Sequence, residues 1–420
     1  MNFTPTELGA SIIFAIAVLH TFCTSHFETL AKNSPKHAGL WHLLAEVEII
    51  FGFWAAILII YMWLVNDLAS AKEYANKRNF TEPLFVFAIM VVAGSKPILY
   101  FATQILQTLG KGMQCILRTK QAPTLYFLTL CITPLLGSVI TEPAAMTLAA
   151  FLLRDLVYRH KCSNALLFGT LGALFVNISI GGTLTNFAAP PVLMVAATWG
   201  WSSSFMFTNF GLESCIAIFI NALGATILFH RQLIEPEVKN TDAKTPITSI
   251  CIHLLFLAGI VGFAHDPVIF MWLLLFFIGY TAAYPKYQSP LILKEALLVG
   301  FFLAGLVVLG GLQGWWLQPL LEQMSPTAVF YGSLALTALT DNAALTYLGS
   351  LVSGTSPEFK LALVGGAVAG GGLTVIANAP NPAGIAILRS HFPNATVSTG
   401  LLLLAALPPT IVTILVYRFW

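Results

Sequence analysis

The chain has 420 residues, 57% hydrophobic and only 9% charged, with a mean hydropathy of +0.82 and a formal net charge of +2. Soluble domains carry about 25% charged residues, so a water-soluble fold is excluded, and the positive charge is too small and dispersed to imply a nucleic-acid partner. A chain dissolved in lipid needs apolar residues both inside and outside, and this one has them.

The opening residues, Met1 to Glu7, contain no basic n-region and no small-residue cleavage site, so the first apolar segment is expected to be retained. Apolar runs long enough for a hydrocarbon layer of roughly 30 Å then fall near 8–27, 42–65, 83–109, 164–198 and 205–229. The polar stretch RQLIEPEVKNTDAKTP, 231–246, interrupts the chain. Further runs follow at 247–264, 267–284, 291–312, 359–388 and 399–417. Two more, 123–158 and 327–355, are each too long for one simple passage and are broken midway by Thr141-Glu142-Pro143 and Thr340-Asp341-Asn342.

Basic residues decide how these two are drawn. Arg118 and Lys120 precede the first, while Arg154, Arg159 and Lys161 follow it, and positive loops prefer the cytoplasmic side. A re-entrant hairpin keeps both flanks inside. With both stretches drawn so, about 14 Lys and Arg fall inside and five outside, Lys96 is buried, and both termini are outside. Segment 66–82 dissents, because it carries Lys72, Lys77 and Arg78 to the external face, offset by Asp67, Glu73 and Glu82.

Each half then holds three passages, a hairpin and two more passages. Five crossings is an odd number, so the second half enters from the opposite face. The expected fold is an all-α polytopic membrane protein of two inverted-topology repeats, 1–230 and 247–420, each of five spanning helices plus a re-entrant helical hairpin. The polar linker at 231–246 is expected on the cytoplasmic side. The letters repeat as well: TEPAAMTLAAFLL from Thr141 resembles TDNAALTYLGSLV from Thr340, and GGTLTNFAAPP from Gly181 resembles GGGLTVIANAP from Gly370.

In the second motif Gly181, Gly182, Gly371 and Gly372 allow the backbone to unwind and approach closely. Threonine and asparagine offer oxygens where helical bonding stops, and Pro190, Pro191, Pro380 and Pro382 remove amide donors. Unwound backbone within a bilayer is tolerated only where protein buries it or a watery cavity meets it. One spanning helix per half is therefore expected to be broken, which is how secondary transporters build a site for small ions or solutes.

NISIGGTLTNFAAPP, 177–191, and LTDNAALTYL, 339–348, resemble the paired signature segments of the ion transporter superfamily, which holds arsenite permeases, NhaD-type antiporters and sodium-coupled dicarboxylate carriers. Within that group the whole chain is most similar to the bacterial sodium/proton antiporter family. The resemblance implies a homodimer in the bacterial inner membrane, with a scaffold of early spans, a mobile domain containing hairpins and broken helices, and elevator-type alternating access.

A helix N-terminus carries about half a positive charge, and two such ends facing one cavity would attract an anion. Dicarboxylate carriers of the superfamily place neutral residues at these tips; here they are Glu142 and Asp341. Desolvation favours the protonated form of a carboxyl group, and a helix end or bound cation favours the ionised one. One group can then hold either H+ or Na+, and exchange follows if it must be occupied to cross. Hard cations prefer oxygen donors, which nominates Thr141, Thr340, Asn342, Thr183, Thr185, Asn186, Thr374 and Asn378 as supporting ligands. The plainer role of Asp341 and Glu142 is to cap or begin a helix, and the two roles are compatible.

Lys96, beside a Gly-Ser and a Pro, either pairs with a site carboxylate or snorkels. Glu213 is a candidate second protonatable group outside the repeated motifs. Glu46, Glu48, Lys294 and Glu295 sit near span edges, where water is within reach. His20, Cys23 and His26, with His42 and Glu46, do not fix the three or four convergent ligands of a zinc site, so no metal is expected; packing or pH response suits these histidines better. The six cysteines form no CxxC pair and suit small packing positions. No cofactor beyond transported Na+ and H+ is expected. The absence of HExxH or of any nucleophile beside Asp341 argues against an enzyme. The rival transport reading is an organic-anion or metalloid carrier on the same scaffold; the acidic tips, and the lack of an arginine near the motifs to clamp a carboxylate, argue against it.

Overall fold

The computed structural model describes residues 3–21, 23–160, 162–235 and 245–419; Lys161 and the middle of the linker, 236–244, lie outside the described residues. Among the described residues all regular structure is helical, as expected where backbone groups must find partners without water. The first half runs α1 (Pro5–Thr21), α2 (Thr24–Asn33), α3 (Ala38–Ala45), α4 (Val47–Val65), α5 (Leu68–Asn76), α6 (Thr81–Ala93), α7 (Lys96–Leu117), α8 (Gln121–Ile140), α9 (Glu142–Leu153), α10 (Asn164–Gly181), α11 (Pro190–Trp199), α12 (Ser203–Met206) and α13 (Leu212–Phe229). The second runs α14 (Ile247–Gly262), α15 (Pro267–Ala283), α16 (Leu293–Gly310), α17 (Gly314–Leu321), α18 (Pro326–Thr337), α19 (Asn342–Ser350), α20 (Pro357–Gly370), α21 (Asn381–Leu388) and α22 (Thr399–Phe419).

Six described helical stretches are long and apolar enough to cross a membrane, or seven if α6 and α7 count as one crossing. The protein is an integral membrane protein. α10 is the innermost, with 89% of its span buried, whereas only 33% of α4 and 28% of α22 are. The outer helices accordingly expose residues such as Leu64, Leu228 and Leu404, a surface suited to lipid.

Several boundaries differ from the sequence expectation. The first run ends at Thr21 and the second begins at Val47, because Glu46 is extended (φ −80°, ψ 116°) and stops α3 before α4 can start. The run 83–109 is bent by 66° at Gly94-Ser95, where Ser95 is extended and Pro97 opens α7; proline lacks the amide needed to continue α6. The first arm of the 123–158 pair, α8, has 20 residues, about 30 Å at 1.5 Å per residue, as long as a full crossing. α9 folds back along it after one residue, Thr141.

Two groups of helices meet along a shared seam, where α7 packs on α8 and α16 on α19. α4 and α6 pack on α16, α1 packs on α4, and α14 and α15 pack on α6. The other group is built on hairpins and breaks: α10 lies on α8, α20 on α18, α11 on α19, and α21 on α9. α10 and α20 cross where the Ser179 hydroxyl donates to the Val368 carbonyl at 2.7 Å. These two residues are separated by 189 positions, the same offset that relates the two glycine motifs.

Candidate functional site

Both breaks are held open by side chains, since unwound backbone has to find its partners elsewhere. In the first, between Gly181 and Pro190, the Ser138 hydroxyl donates to Gly181 O at 2.7 Å and accepts from Leu184 N at 3.0 Å. Thr185 donates to Ser138 O at 2.7 Å. In the second, Thr374 donates to Ala338 O at 2.9 Å, and the Asn381 amide donates to Gly371 O and Thr374 O at 2.8 Å each. Thr185 and Thr374, equivalent in the repeated motif, thus each bond the first arm of their own hairpin.

Thr141 joins α8 to α9 with φ 72° and ψ 153°, a region essentially reserved for glycine. A β-branched residue here costs of order 1–3 kcal/mol, which its neighbours must offset. The bend throws Glu142 off its own helix end. Thr141 caps nothing with its side chain and Pro143, in the first turn, has no amide to offer. Glu142 instead crosses to the other half: it is 0% exposed, and its Oε2 accepts from the Asn378 amide at 2.9 Å. Oε1 has no partner among the described residues and lies over Gly182, where an added Cβ would come within 2.5 Å of it.

Asp341 behaves differently. It is the N-cap of α19, with Oδ1 accepting from Ala343 N at 2.8 Å and Ala344 N at 3.2 Å. It also borders a cavity of about 20 Å³ whose other walls include Val18 and Thr21 of α1, Phe51 of α4 and Phe302 of α16.

Between the tips lies a set of buried polar atoms without hydrogen-bond partners: Thr141 Oγ1, Glu142 Oε1, both amide atoms of Asn342, Asn378 Oδ1 and Asn381 Oδ1. The set is connected, because Asn342 N donates to Ala377 O at 3.1 Å and Asn342 Nδ2 lies 2.9 Å from where a Gly371 Cβ would stand. Buried polar atoms are almost always paired, so a concentration of orphaned oxygens is an invitation to a ligand with positive charge.

A model of the family described as putative Na+/H+ antiporter matches residues 5–420. The chain belongs to that family. Membership in this antiporter family supports cation/proton antiport in general, the work of a transporter. No curated protein matches the chain.

Of the ligands expected for an antiporter, the structure gathers Glu142, Thr141, Asn342 and Asn378. Gly182 and Gly371 lie directly against them, while Gly181 backs onto Pro134 O and Gly372 onto Val176. Asp341 stands one step away, with Thr340 on the same cavity and its hydroxyl donated to Leu336 O. Others are spent on holding the fold. Thr183 bonds Ile180 O and Ser214, Ser214 continues to Tyr417, and Asn186 is tied to Trp201 O and Ser203. Among the described residues Lys96 makes no ion pair with a site carboxylate, and Glu213, next to the Ser214 that bonds Tyr417, has Oε2 unpaired.

The two ring nitrogens of His20 are engaged, Trp54 Nε1 donating to Nδ1 at 3.0 Å and Nε2 donating to Leu44 O at 3.0 Å, which fixes a neutral tautomer. Sequence reasoning missed Asn381 and Ser138. The pairing Asn381-Pro382 beyond an already unwound stretch, and a Gly-Ser step before the tip, were the available signals.

Proposed function

We propose that this antiporter-family chain exchanges Na+, or another small cation, for H+ by elevator-type alternating access. Its two halves, 1–230 and 247–420, act as inverted-topology repeats, with a re-entrant hairpin and a broken helix in each, and the linker between them is cytoplasmic. The carrying observation is the enclosed Glu142 Oε1, unpartnered on a carboxylate whose other oxygen Asn378 holds, with Thr141 Oγ1, Asn342 Oδ1 and Asn378 Oδ1 likewise buried and unpartnered. A carboxylate there is neutralised either by a proton or by a dehydrated cation that completes its coordination with those oxygens, and the two exclude one another.

Repeat symmetry is supported by the matched Thr185 and Thr374 bonds, by the cross-packing of α11 on α19 and α21 on α9, and by the Ser179–Val368 crossing. The elevator is supported by the position of the Asp341 cavity, which runs along the seam between the hairpin group and the early spans α1, α4 and α16. The early spans would be the static scaffold, and the protein a homodimer in a bacterial inner membrane with both termini outside.

The test is acid-quenched fluorescence in everted vesicles from an antiporter-deficient host. Addition of Na+ or Li+ dissipates the pH gradient with the wild type, and Glu142→Gln and Asp341→Asn severely reduce that response. Undiminished exchange in the double variant would remove both groups from the mechanism.

A further inference from the structure

α10 ends at Gly181, and the amide that a continuing helix would offer to Ile180 O, Leu184 N, donates to Ser138 instead. The Thr183 hydroxyl takes its place, donating to Ile180 O at 2.7 Å. A hydroxyl has one proton to give. Thr183 therefore accepts from Ser214 Oγ at 2.7 Å, and Ser214, its own proton committed, accepts from the Tyr417 hydroxyl at 2.7 Å. Three donors in series thus point inward, from the last turn of α22 through α13 to the end of α10. Thr183 and Ser214 are 0% exposed, and bonds aligned in series polarise and strengthen one another where the dielectric is low. A carbonyl closes the series, so its inner end has no group to take up a proton. It fixes a position instead.

That position is the place of Gly182, which the bond from residue 183 back to residue 180 encloses. A Cβ on Gly182 would meet Glu142 Oε1 at 2.5 Å and Cγ at 2.6 Å, so this turn is the floor on which the unpartnered oxygen rests. Ser138 holds the same turn from the hairpin side, through Gly181 O and Leu184 N. In the second motif the residue equivalent to Thr183 is Gly372, which has no hydroxyl. The tie belongs to the break beneath Glu142.

We infer that Tyr417 is a positioning residue for cation binding: through Ser214 and Thr183 its hydroxyl sets how closely Gly182 approaches Glu142 Oε1, and with it the room left for the ion. The inference rests on the exchange reading and concerns the same site. A loosened floor weakens the hold on a dehydrated cation more than on a proton, because the cation needs several oxygens at once and the proton needs one. Na+ then displaces H+ only at higher Na+ concentration or higher pH.

The full-length chain in everted vesicles, with Na+ titrated at several pH values, tests this. Tyr417→Phe keeps the ring that packs on Phe210 and removes only the hydroxyl. It is expected to raise the half-saturating Na+ concentration about fivefold and to move the acid limb of the pH profile to higher pH. Thr183→Val, which cuts the series at its inner end, is expected to raise half-saturation about tenfold, while Thr183→Ser keeps most of the affinity. Adding Tyr417→Phe to Thr183→Val should change nothing further, since groups that act as one unit are not additive. Arg418→Gln removes a neighbouring tie, to Thr327, and should alter half-saturation less than about twofold. A merely structural contribution would lower the amount of folded protein, and so the maximal signal, and leave half-saturation and pH profile where they were.

An unchanged half-saturation and pH profile in Tyr417→Phe, beside an active wild type, overturns the inference and leaves the exchange reading intact. So do effects of the two substitutions that multiply, or an equal shift from Arg418→Gln. If Tyr417→Phe does not reach the membrane, the pair at 183 decides, and equal half-saturation in Thr183→Val and Thr183→Ser overturns the inference. An inactive wild type overturns the exchange reading and the inference with it.

Discussion

At the tip between α8 and α9 the carboxylate turns away from its own helix, and at the tip between α18 and α19 it turns back. Glu142 reaches Asn378 across the two halves, whereas Asp341 closes the end of α19 with Ala343 N and Ala344 N. The cause is local. Pro143 denies Glu142 a cap and Thr141 bends it outward, while the residue equivalent to Asn378 in the first motif is Ala189, which offers no amide. Equal positions in a repeated sequence therefore do not imply equal work. One acid keeps an oxygen free in a sealed place; the other holds a helix together and borders a cavity.

That contrast makes Glu142→Gln the most damaging single change, lowering cation-driven proton release in everted vesicles at least about 100-fold, a loss of roughly 2.7 kcal/mol. Asp341→Asn is expected to cost about tenfold, and equal losses at the two tips would erase the distinction. Next comes Asn378→Ala, which strips Glu142 Oε2 of its donor. Half-saturation for Na+ should rise about tenfold, close to the 1–3 kcal/mol cost of an abandoned buried group.

Thermal unfolding in detergent sharpens the comparison from the other side. Asp341→Ala removes the cap and should cost about 1 kcal/mol, while Asp341→Asn, an equally good cap, should cost only a few tenths. If both unfold like the wild type, Asp341 does not act as a cap. The smallest effect is expected from Thr141→Gly: relief of the backbone outweighs glycine's extra chain entropy, giving a net gain of roughly 0.5–1 kcal/mol. A fall in melting temperature would mean that the threonine side chain supports the tip more than its backbone strains it.

The polar breaks, the glycine pairs and both acidic tips were legible in the letters, because a charged or helix-breaking residue in so apolar a chain stands out wherever it falls. The bend at Gly94-Ser95 was marked only by its Gly-Ser-Lys-Pro letters, inside a run read as one passage. Direction was not legible. Thr183, Thr185 and Asn186 read as oxygens near a break, yet their hydrogen bonds run to Ser214, Ser138 and Trp201 and fasten the break instead. Strain at Thr141 was equally silent, since nothing in a Thr-Glu-Pro triplet announces a positive φ.

The strain at Thr141 also bears on how the protein divides its time between shapes. A penalty of about 1–3 kcal/mol persists only while packing around the tip enforces it. Any arrangement that let residue 141 return to an ordinary backbone region would gain that amount, biasing the populations by roughly 5- to 150-fold. The loop between α8 and α9 is thus a loaded spring as well as a holder of the carboxylate, and under the proposed alternating access its tension would be one term in the balance between one face of the bilayer and the other.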